Sequence, residues 1–522
     1  MTWSSGFVDS LRLPSITPIY RLQFWKPHPT RSVGSAQSWV IRSDDKRLRI
    51  STGGVRIQGT AVIPSRWSVS FGGFEVSLTG DISRLDPYVM RGSFAFIECA
   101  FAGRTGFEII AMGQLMQISG TRGNYTMVFR DLLSALQSRN DNRIGTLPDL
   151  IKYQEFFFST YKTTTTTSAW NVGSATMNVS TSTIFEKAQG KDGTIFCTPS
   201  SGGDPFYLNW SSAPTTTTLT ISSPSSAAHP STTSASTLPT GSTIQNTVRL
   251  PFPPYSLLGQ LLTSTGTGTN GPRDSLPFDW SSGLQLPAAL YDDADAQTTA
   301  AYLDSRPTGI YSWDLVYKEP LSNGLRGIMD QVSKTGQWPV FRQNSFSWRG
   351  CYDPTGRRSS TPQVVRKITD FDIISIDQHL MYDPSLAAVY GRSRIKYSSS
   401  ATFGVSTNPT NTLPAELQIE RDNSAIYDPS FDERNMAQGD ISRMRVWDMY
   451  PWQRLTLRLN LSFAVLVAGD LVEITSAYIS APDSDFKKTF KGRRGMVLSS
   501  EYNINEQFCV IVIGITPHNG PI

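Results

Sequence analysis

The segment SRWSVSFGGFEVSLTGD, residues 65–81, constrains the fold of this chain more than any other. Taken as a two-residue hairpin on Gly72 and Gly73, it pairs Phe71 with Phe74, Val69 with Val76 and Trp67 with Leu78. All three pairs fall on one face, because side chains alternate along a strand. The other face receives Ser70 opposite Glu75 and Ser68 opposite Ser77. Paired glycines supply the positive φ angles of tight hairpins. One long strand bent by a glycine bulge is the alternative reading of the same residues. Either way one face is apolar and must be covered by more sheet, which means a sandwich or a barrel.

A length of 522 residues is too great for one ordinary core and implies three or four domains. Charged residues make up only 17% of the chain, and Ser, Thr, Gly and Pro are plentiful, which fits a loop-rich β protein. The formal charge of +4 is small for this length and shows no basic stripe for nucleic acid. The first residues lack the basic start and apolar run of a signal peptide. The most apolar stretch, residues 461–472, contains Ser462, Gly469 and Asp470 and is too short to span a bilayer. Cys99, Cys197, Cys351 and Cys509 lie far apart in apolar or aromatic surroundings. They read as buried free thiols of a protein folded in a reducing cytosol.

Along the chain, IYRLQFW near the start is strand material, and SFAFIECAFA (93–102) reads as a strand buried on both faces. Residues 108–118 and 124–129 continue the sheet, and Leu132, Leu133 and Leu136 then mark a short helix. From 160 to 248 the composition turns to Thr and Ser. Strand-like pieces recur within it at 175–179, 194–197, 206–210 and 219–221, so a small β domain is expected there rather than a linker. LPFPPYSLLGQLL (250–262) reads as a proline-led short helix. Residues 322–336 have the strongest helical pattern, with Leu325, Ile328, Met329 and Val332 on one face. Two strands follow, around Trp338 and Trp348, with a turn at Gln343 and Asn344. Near the end Leu455, Leu457, Leu459 and Leu461 alternate with polar residues, Gly469-Asp470 turns the chain, and FCVIVIGI (508–515) reads as a central strand. The expected fold is mainly β with α+β segments and multidomain, with β-barrel or tube-like domains, a small β insert and a helix-hairpin module. The expected divisions are a tube-like β domain at 1–150, the insert at 160–248 and connecting loops and short helices at 249–320. The helix plus hairpin follows at 321–400, and a β segment at 401–522 completes a tube-like or barrel domain.

Candidate chemistry is sparse. The loop Gly266-Thr-Gly268-Thr-Asn-Gly271 spells a dinucleotide fingerprint but lacks the strand before it and the helix after it. Asp292, Asp293 and Asp295 lack the spacing of a calcium loop and read as a solvated turn. His28, His229, His379 and His518 lie alone, and no nucleophile elbow is present. Lys487, Lys488, Lys491, Arg493 and Arg494 read as a solvated hairpin loop. No catalytic, cofactor-binding or metal-ligating residue is assigned.

Several stretches taken in order resemble the tail hub, or baseplate hub, proteins of tailed bacteriophages. ISTGGVRIQGTAVIPSRWSVSFGGFEVSLTGDIS and FEIIAMGQLMQISGTRGNYTMVFRDLLSALQSR are similar to the first tube-forming part of such hubs. AAHPSTTSASTLPTGSTIQNTV resembles the end of the small insert many of them carry, although its Ser/Thr-rich strand pattern departs from theirs. LLGQLLTSTGTGTNGPRDSLPFDW, LSNGLRGIMDQVSKTGQWPVFRQNSFSWRG, AGDLVEITSAYI and KGRRGMVLSSEYNINEQFCVIVIGI are similar to later hub segments. The resemblance implies a non-enzymatic virion protein of the tail tip, made in the host cytoplasm. It implies a homotrimer whose two tube-like domains per chain make a pseudo-sixfold ring, with DNA passing only transiently through its lumen. The implied neighbours are a tail tube or distal tail protein, a central spike or fibre protein and other baseplate proteins. Trp67, Val69, Phe71, Phe74, Val76, Leu78, Leu455, Leu457 and Leu459 are then expected in ring-forming sheets. A glycan-binding adhesin using the Thr/Ser-rich domain and a cell-wall hydrolase are the competing classes.

Overall fold

Alternating strands close on themselves repeatedly in this chain. The computed structural model describes residues 3–13, 16–25, 37–64, 68–70, 72–83, 94–131, 163–183, 193–226, 234–246, 248–250, 255, 259, 291–303, 315–317, 336–351, 364–380, 390–396, 402–406, 419–423, 447, 452–480 and 489–515. The expected helices at 131–139, 250–262 and 322–336 lie almost wholly outside these residues, with Asp131 ending a strand and Gly336 in a turn, and the glycine loop at 266–271 lies wholly outside them. So do Lys487 and Lys488.

The N-terminal part contains β1 (Pro18–Trp25), β2 (Gln37–Arg42), β3 (Leu48–Gln58), β4 (Ala61–Ile63), β5 (Ser68–Ser70), β6 (Gly73–Gly80), β7 (Phe94–Phe101), β8 (Glu108–Thr121) and β9 (Asn124–Asp131). Seven of them run in the order β2-β1-β7-β8-β9-β6-β3, and β3 returns to β2 at one parallel bridge, Arg42 to Arg49. Phe74, Val76 and Leu78 of β6 point inward, and Phe74 stacks on Phe129 with ring centroids 4.3 Å apart. A short helix, α1 (Ser5–Ser10), adds Phe7 to this core, flanked by buried Trp3 and Leu11. The strand-like reading of the N-terminus contains no sign of it.

The hairpin expected at 67–78 does not form. β6 already has partners on both edges, β3 on one side and β9 on the other, so no edge is left for the residues before it. β5 pairs instead with β4, which sets Val69 opposite Val62 in a separate two-stranded sheet. Trp67 and Phe71 fall outside the described residues. The two glycines serve close approach rather than a left-handed turn. A Cβ on Gly72 would lie 1.9 Å from the Gln58 carbonyl oxygen, and one on Gly73 would lie 2.2 Å from that of Phe129.

The Thr/Ser-rich region is a second closed unit. It comprises β10 (Thr163–Thr165), β11 (Thr176–Asn178), β12 (Gly193–Thr198), β13 (Phe206–Thr215), β14 (Thr218–Ile221) and β15 (Thr243–Asn246). Their order is β10-β15-β12-β13-β14-β11, and the bridge Thr166–Val179 joins the two ends. Trp170, Ile195, Phe206, Trp210 and Leu219 belong to a core made entirely of insert residues. Threonine hydroxyls spend themselves on one another at the surface, as between Thr215 and Thr218 at 2.7 Å. Thr163 sits opposite Gln245, so the chain enters and leaves this barrel side by side.

Next come β16 (Val248–Leu250), α2 (Asp293–Leu303), β17 (Leu315–Tyr317), β18 (Gln337–Arg342) and β19 (Ser345–Gly350). The β18–β19 hairpin turns at Gln343 and Asn344, as its sequence predicts. β20 (Arg366–Thr369) and β21 (Ile373–Leu380) follow, then a three-stranded sheet of β22 (Tyr390–Lys396), β23 (Thr402–Ser406) and β24 (Ile419–Asn423). The last strands are β25 (Gln453–Asn460), β26 (Leu471–Ser480), β27 (Thr489–Asn503) and β28 (Phe508–Ile515). They run β20-β26-β27-β28-β25-β21, and the two outer strands are consecutive in sequence, so the sheet curls back towards closure. β28 lies between β25 and β27, the central position its apolar sequence predicts. Leu455, Leu457 and Leu459 are fully buried. The alternation stops at Asn460, whose side chain caps a 3-10 turn over Leu461–Val465 in place of continued strand. Lys491, Arg493 and Arg494 lie within β27 rather than in a loop, and Arg493 is buried over the Phe490 ring.

All four cysteines are buried and free. Gly72→Ala is expected to lower stability by about 1–3 kcal/mol, measured by denaturant unfolding, because backbone must shift to admit the methyl group. Replacing residues 163–246 by a short Gly/Ser link is expected to leave the thermal transition of the remaining barrels in place, since the insert carries its own core. A collapse of that transition would show that the insert supports them.

Candidate functional site

The first and last strand systems are one sheet. Arg56, Ile57 and Gln58 of β3 pair with Asn503, Tyr502 and Glu501 of β27, and the Gly59 N–H donates to the Ser500 carbonyl at 2.8 Å. Arg56 and Glu501 reinforce the join with an ion pair at 2.5 Å. Tyr502 crosses it, its hydroxyl donating to the Ile110 carbonyl at 2.9 Å. A small, partly open cavity of about 40 Å³ remains beside the join, with Trp3, Tyr502 and Gln343 among its walls.

The β18–β19 hairpin braces the two halves. Every residue of β19 is buried, and so are Gln337 to Val340 of β18, which is unusual for a two-stranded sheet. At its turn, Asn344 accepts from the Ile109 N–H at 2.8 Å and donates to Glu108 at 2.7 Å. Gln343, held at φ 55°, accepts from the Trp3 N–H at 3.0 Å. At its far end Trp338 donates to the Ala468 carbonyl at 3.1 Å, in the loop before β26. One hairpin therefore holds the first barrel with its turn and the second with its open end.

An ionic cluster sits at that open end. Arg349 is 3% exposed, and its Nε donates to Asp470 Oδ1 at 3.1 Å. Its Nη1 donates to Asp295 Oδ2 at 2.7 Å and to the Trp348 carbonyl at 2.7 Å. Asp470 also accepts from the Val467 N–H at 3.0 Å. Gly469 beside it has φ 101°, and a Cβ there would lie 2.8 Å from Arg349 Cβ, so the loop reaches the arginine only with glycine. Burial raises the Asp295 pKa, but Arg349, Ser347 and Arg342 outweigh it and hold the carboxyl below its ordinary value.

This revises the reading of the acidic triplet. Asp292 caps α2 through the Asp295 N–H at 3.1 Å, Asp293 accepts from Gln297 at 2.7 Å and Asp295 joins the arginine. The residues form a helix start rather than a solvated turn. Among the described residues no group of three or more His, Cys, Asp or Glu could hold a metal ion. His379 contacts Gln453 at 3.1 Å. An open cleft of about 540 Å³ lies where β2 diverges from β3, lined by Tyr20, Ser43, Arg49, Thr79 and Asn505 among others. Burial first, then Cys99 and Tyr502, raise the Tyr20 phenol well above its usual value, so it stays protonated and donates to Asn505 at 2.9 Å.

Of the residues expected in ring-forming sheets, Phe74, Val76, Leu78, Leu455, Leu457 and Leu459 share one apolar cluster that runs through both strand systems. Their side chains are buried in the interior. Val69 is half-buried in the small sheet. The exposed apolar side chains of the second barrel lie elsewhere. Phe371 is fully exposed on the turn between β20 and β21, Ile374 stands out from β21, and Tyr478 stands out from β26. The Ala477 N–H donates to Asp370 at 2.9 Å and sets the Phe371 turn against the Tyr478 strand. Sequence reasoning missed Arg349 and Asp470, although each is a charge inside an apolar run, which is the signature of a buried pair.

No known family and no curated protein matches the sequence. Among solved structures, a 43 kDa tail protein of prophage MuSo2 from Shewanella oneidensis aligns over 96% of this chain and 99% of its own, at 8% identity and a TM-score of 0.32. The virion of a native gene transfer agent particle aligns over 47% of this chain and 84% of the matched chain, at 13% identity and a TM-score of 0.17. Values this low leave function to the residues of the chain itself. No helix among the described residues is long and apolar enough to cross a membrane.

Arg349→Met is expected to cost about 3–5 kcal/mol in denaturant unfolding, because Asp470 is left buried without its cation. Asp295→Asn is expected to cost less, since Asp295 is 31% exposed and Arg349 keeps Asp470. A carboxyl with a depressed folded pKa stabilises above its unfolded value of about 3.9 and loses that contribution as pH falls through the folded pKa. The stability gap between wild type and Asp295→Asn should therefore be full at neutral pH and close below about pH 4. A gap unchanged at low pH would refute the assignment.

Proposed function

We propose that the protein is a structural hub of a phage tail tip, assembling as a homotrimer around a central passage. The observation that carries this reading is the splice of two strand barrels through β3 and β27 within one chain. Three such chains present six barrels, so one ring can meet a sixfold tail tube on one side and a threefold spike or fibre on the other. The order of the hub-like sequence segments supports the same reading, and the buried leucine and phenylalanine rows supply the ring's sheets. Genome passage follows from a central hole and requires no chemistry from the chain.

In this reading a neighbouring copy covers the apolar surface at Phe371, Ile374 and Tyr478, which is too prominent to be left in water on a ring-forming barrel. Light scattering of the purified protein, with class averages from negative-stain images, tests the proposal. A trimeric mass and a threefold ring with a central hole are the expected result, and Phe371→Asp is expected to return the sample to monomer without loss of fold by circular dichroism. An elongated monomer or a solid trimeric stalk that binds host glycans would replace the hub with the adhesin.

A further inference from the structure

Helix α2 is attached to the protein in an unusual way. Its residues Ala296 and Thr299 are buried, but both are small, and Asp293, Ala294, Gln297 and Thr298 are exposed. Among its described side chains, residues 293–299, no large apolar one faces the hairpin beneath it. The first half of the helix is joined to β19 through polar contacts. The Asp292 N–H donates to the Phe346 carbonyl at 2.8 Å, Ser347 donates to Asp295 at 2.6 Å, and Arg349 donates to Asp295 at 2.7 Å and to Thr299 at 3.4 Å. Arg342 on β18 adds a longer ion pair to Asp295 at 3.6 Å.

Arg349 is shared between two unequal carboxylates. Asp470 is 2% exposed and fixed by the loop that joins the hairpin to the second barrel, while Asp295 is 31% exposed and belongs to the helix. Breaking a buried ion pair is normally prohibitive because it strands a charge in the interior. Here the inner carboxylate keeps the arginine neutralised when the outer one leaves. The groups facing Asp295 are Arg349 and Ser347 from β19, Arg342 from β18 and Asp292 and Asp293 from its own helix start, with Asp470 beyond the arginine.

From this arrangement we propose that α2 is a detachable strap, released from the hairpin by neutralising Asp295 while Arg349–Asp470 keeps the two barrels braced. The strap covers β19, so its release uncovers the outer face of the hairpin and leaves the barrel core closed. The device stands whether or not the chain forms a ring, so its test is separate from the oligomer measurement.

Hydrogen exchange read by mass spectrometry on the full chain tests it. In Asp295→Asn at neutral pH, amides of residues 293–303 should exchange about tenfold faster or more, while those of β25, β27 and β28 keep their wild-type protection. In Asp470→Asn, protection should fall in the hairpin and second barrel as well. Wild type titrated from neutral pH to about pH 3, with rates corrected for intrinsic exchange, should release the same helix before the strands. This keeps the test open if a variant fails to fold. Unchanged exchange at 293–303, or helix and strands losing protection together, would overturn the strap.

Discussion

Three backbone pairs between β3 and β27 decide the architecture. Without them the two strand systems would share the β18–β19 hairpin, the Tyr502 bond and an apolar cluster, but not a sheet. With them, the register of the first barrel is fixed relative to the second, because a slip of one residue would turn every core side chain of β3 outward. Ile57 packs inward and Arg56 and Gln58 point to solvent, which is the arrangement that this register permits. Tyr502 and the β18–β19 hairpin then hold the splice from the interior side, each bond joining one side chain (Tyr502, Asn344 or Trp338) to a backbone group across the join.

Closure is the answer to the edge problem in two of the three strand systems, and curling is the answer in the third. The first barrel closes by a single bridge and the insert by Thr166 and Val179, while the last sheet curls so that its outer strands, consecutive in sequence, come near each other without pairing. Exposed sheet edges attract other chains. A protein built for assembly must confine that attraction to chosen surfaces, and paired edges elsewhere do so.

Strand identity was legible because alternation is local. Leu455, Leu457 and Leu459 show it, and the four strand-like pieces of the Thr-rich region all became strands of one barrel. Pairing was not legible, since it depends on which edges are already taken. The glycines at 72 and 73 look like a hairpin turn, but their role is set by carbonyls of Gln58 and Phe129, one of them more than fifty residues away. The hairpin at 337–350 was readable, but its place between the barrels was not, because Asn344 and Arg349 meet partners more than one hundred residues distant. The ionic cluster was hidden for the same reason.

The splice also has a cost in time. β3 is synthesised early, but its partner on β27 lies 445 residues further along the chain at Arg56 and Glu501. Pairings so distant in sequence form slowly, because a long loop must close before any contact repays it. Until residue 503 has left the ribosome, the outer edge of β3 at Arg56–Gln58 has no native mate, and until residue 470 has done so the hairpin that braces it has nothing to join at its far end. During that interval the nascent first barrel presents an open strand edge to every other copy being made, so high-level synthesis of this protein should call for chaperones that shield that edge.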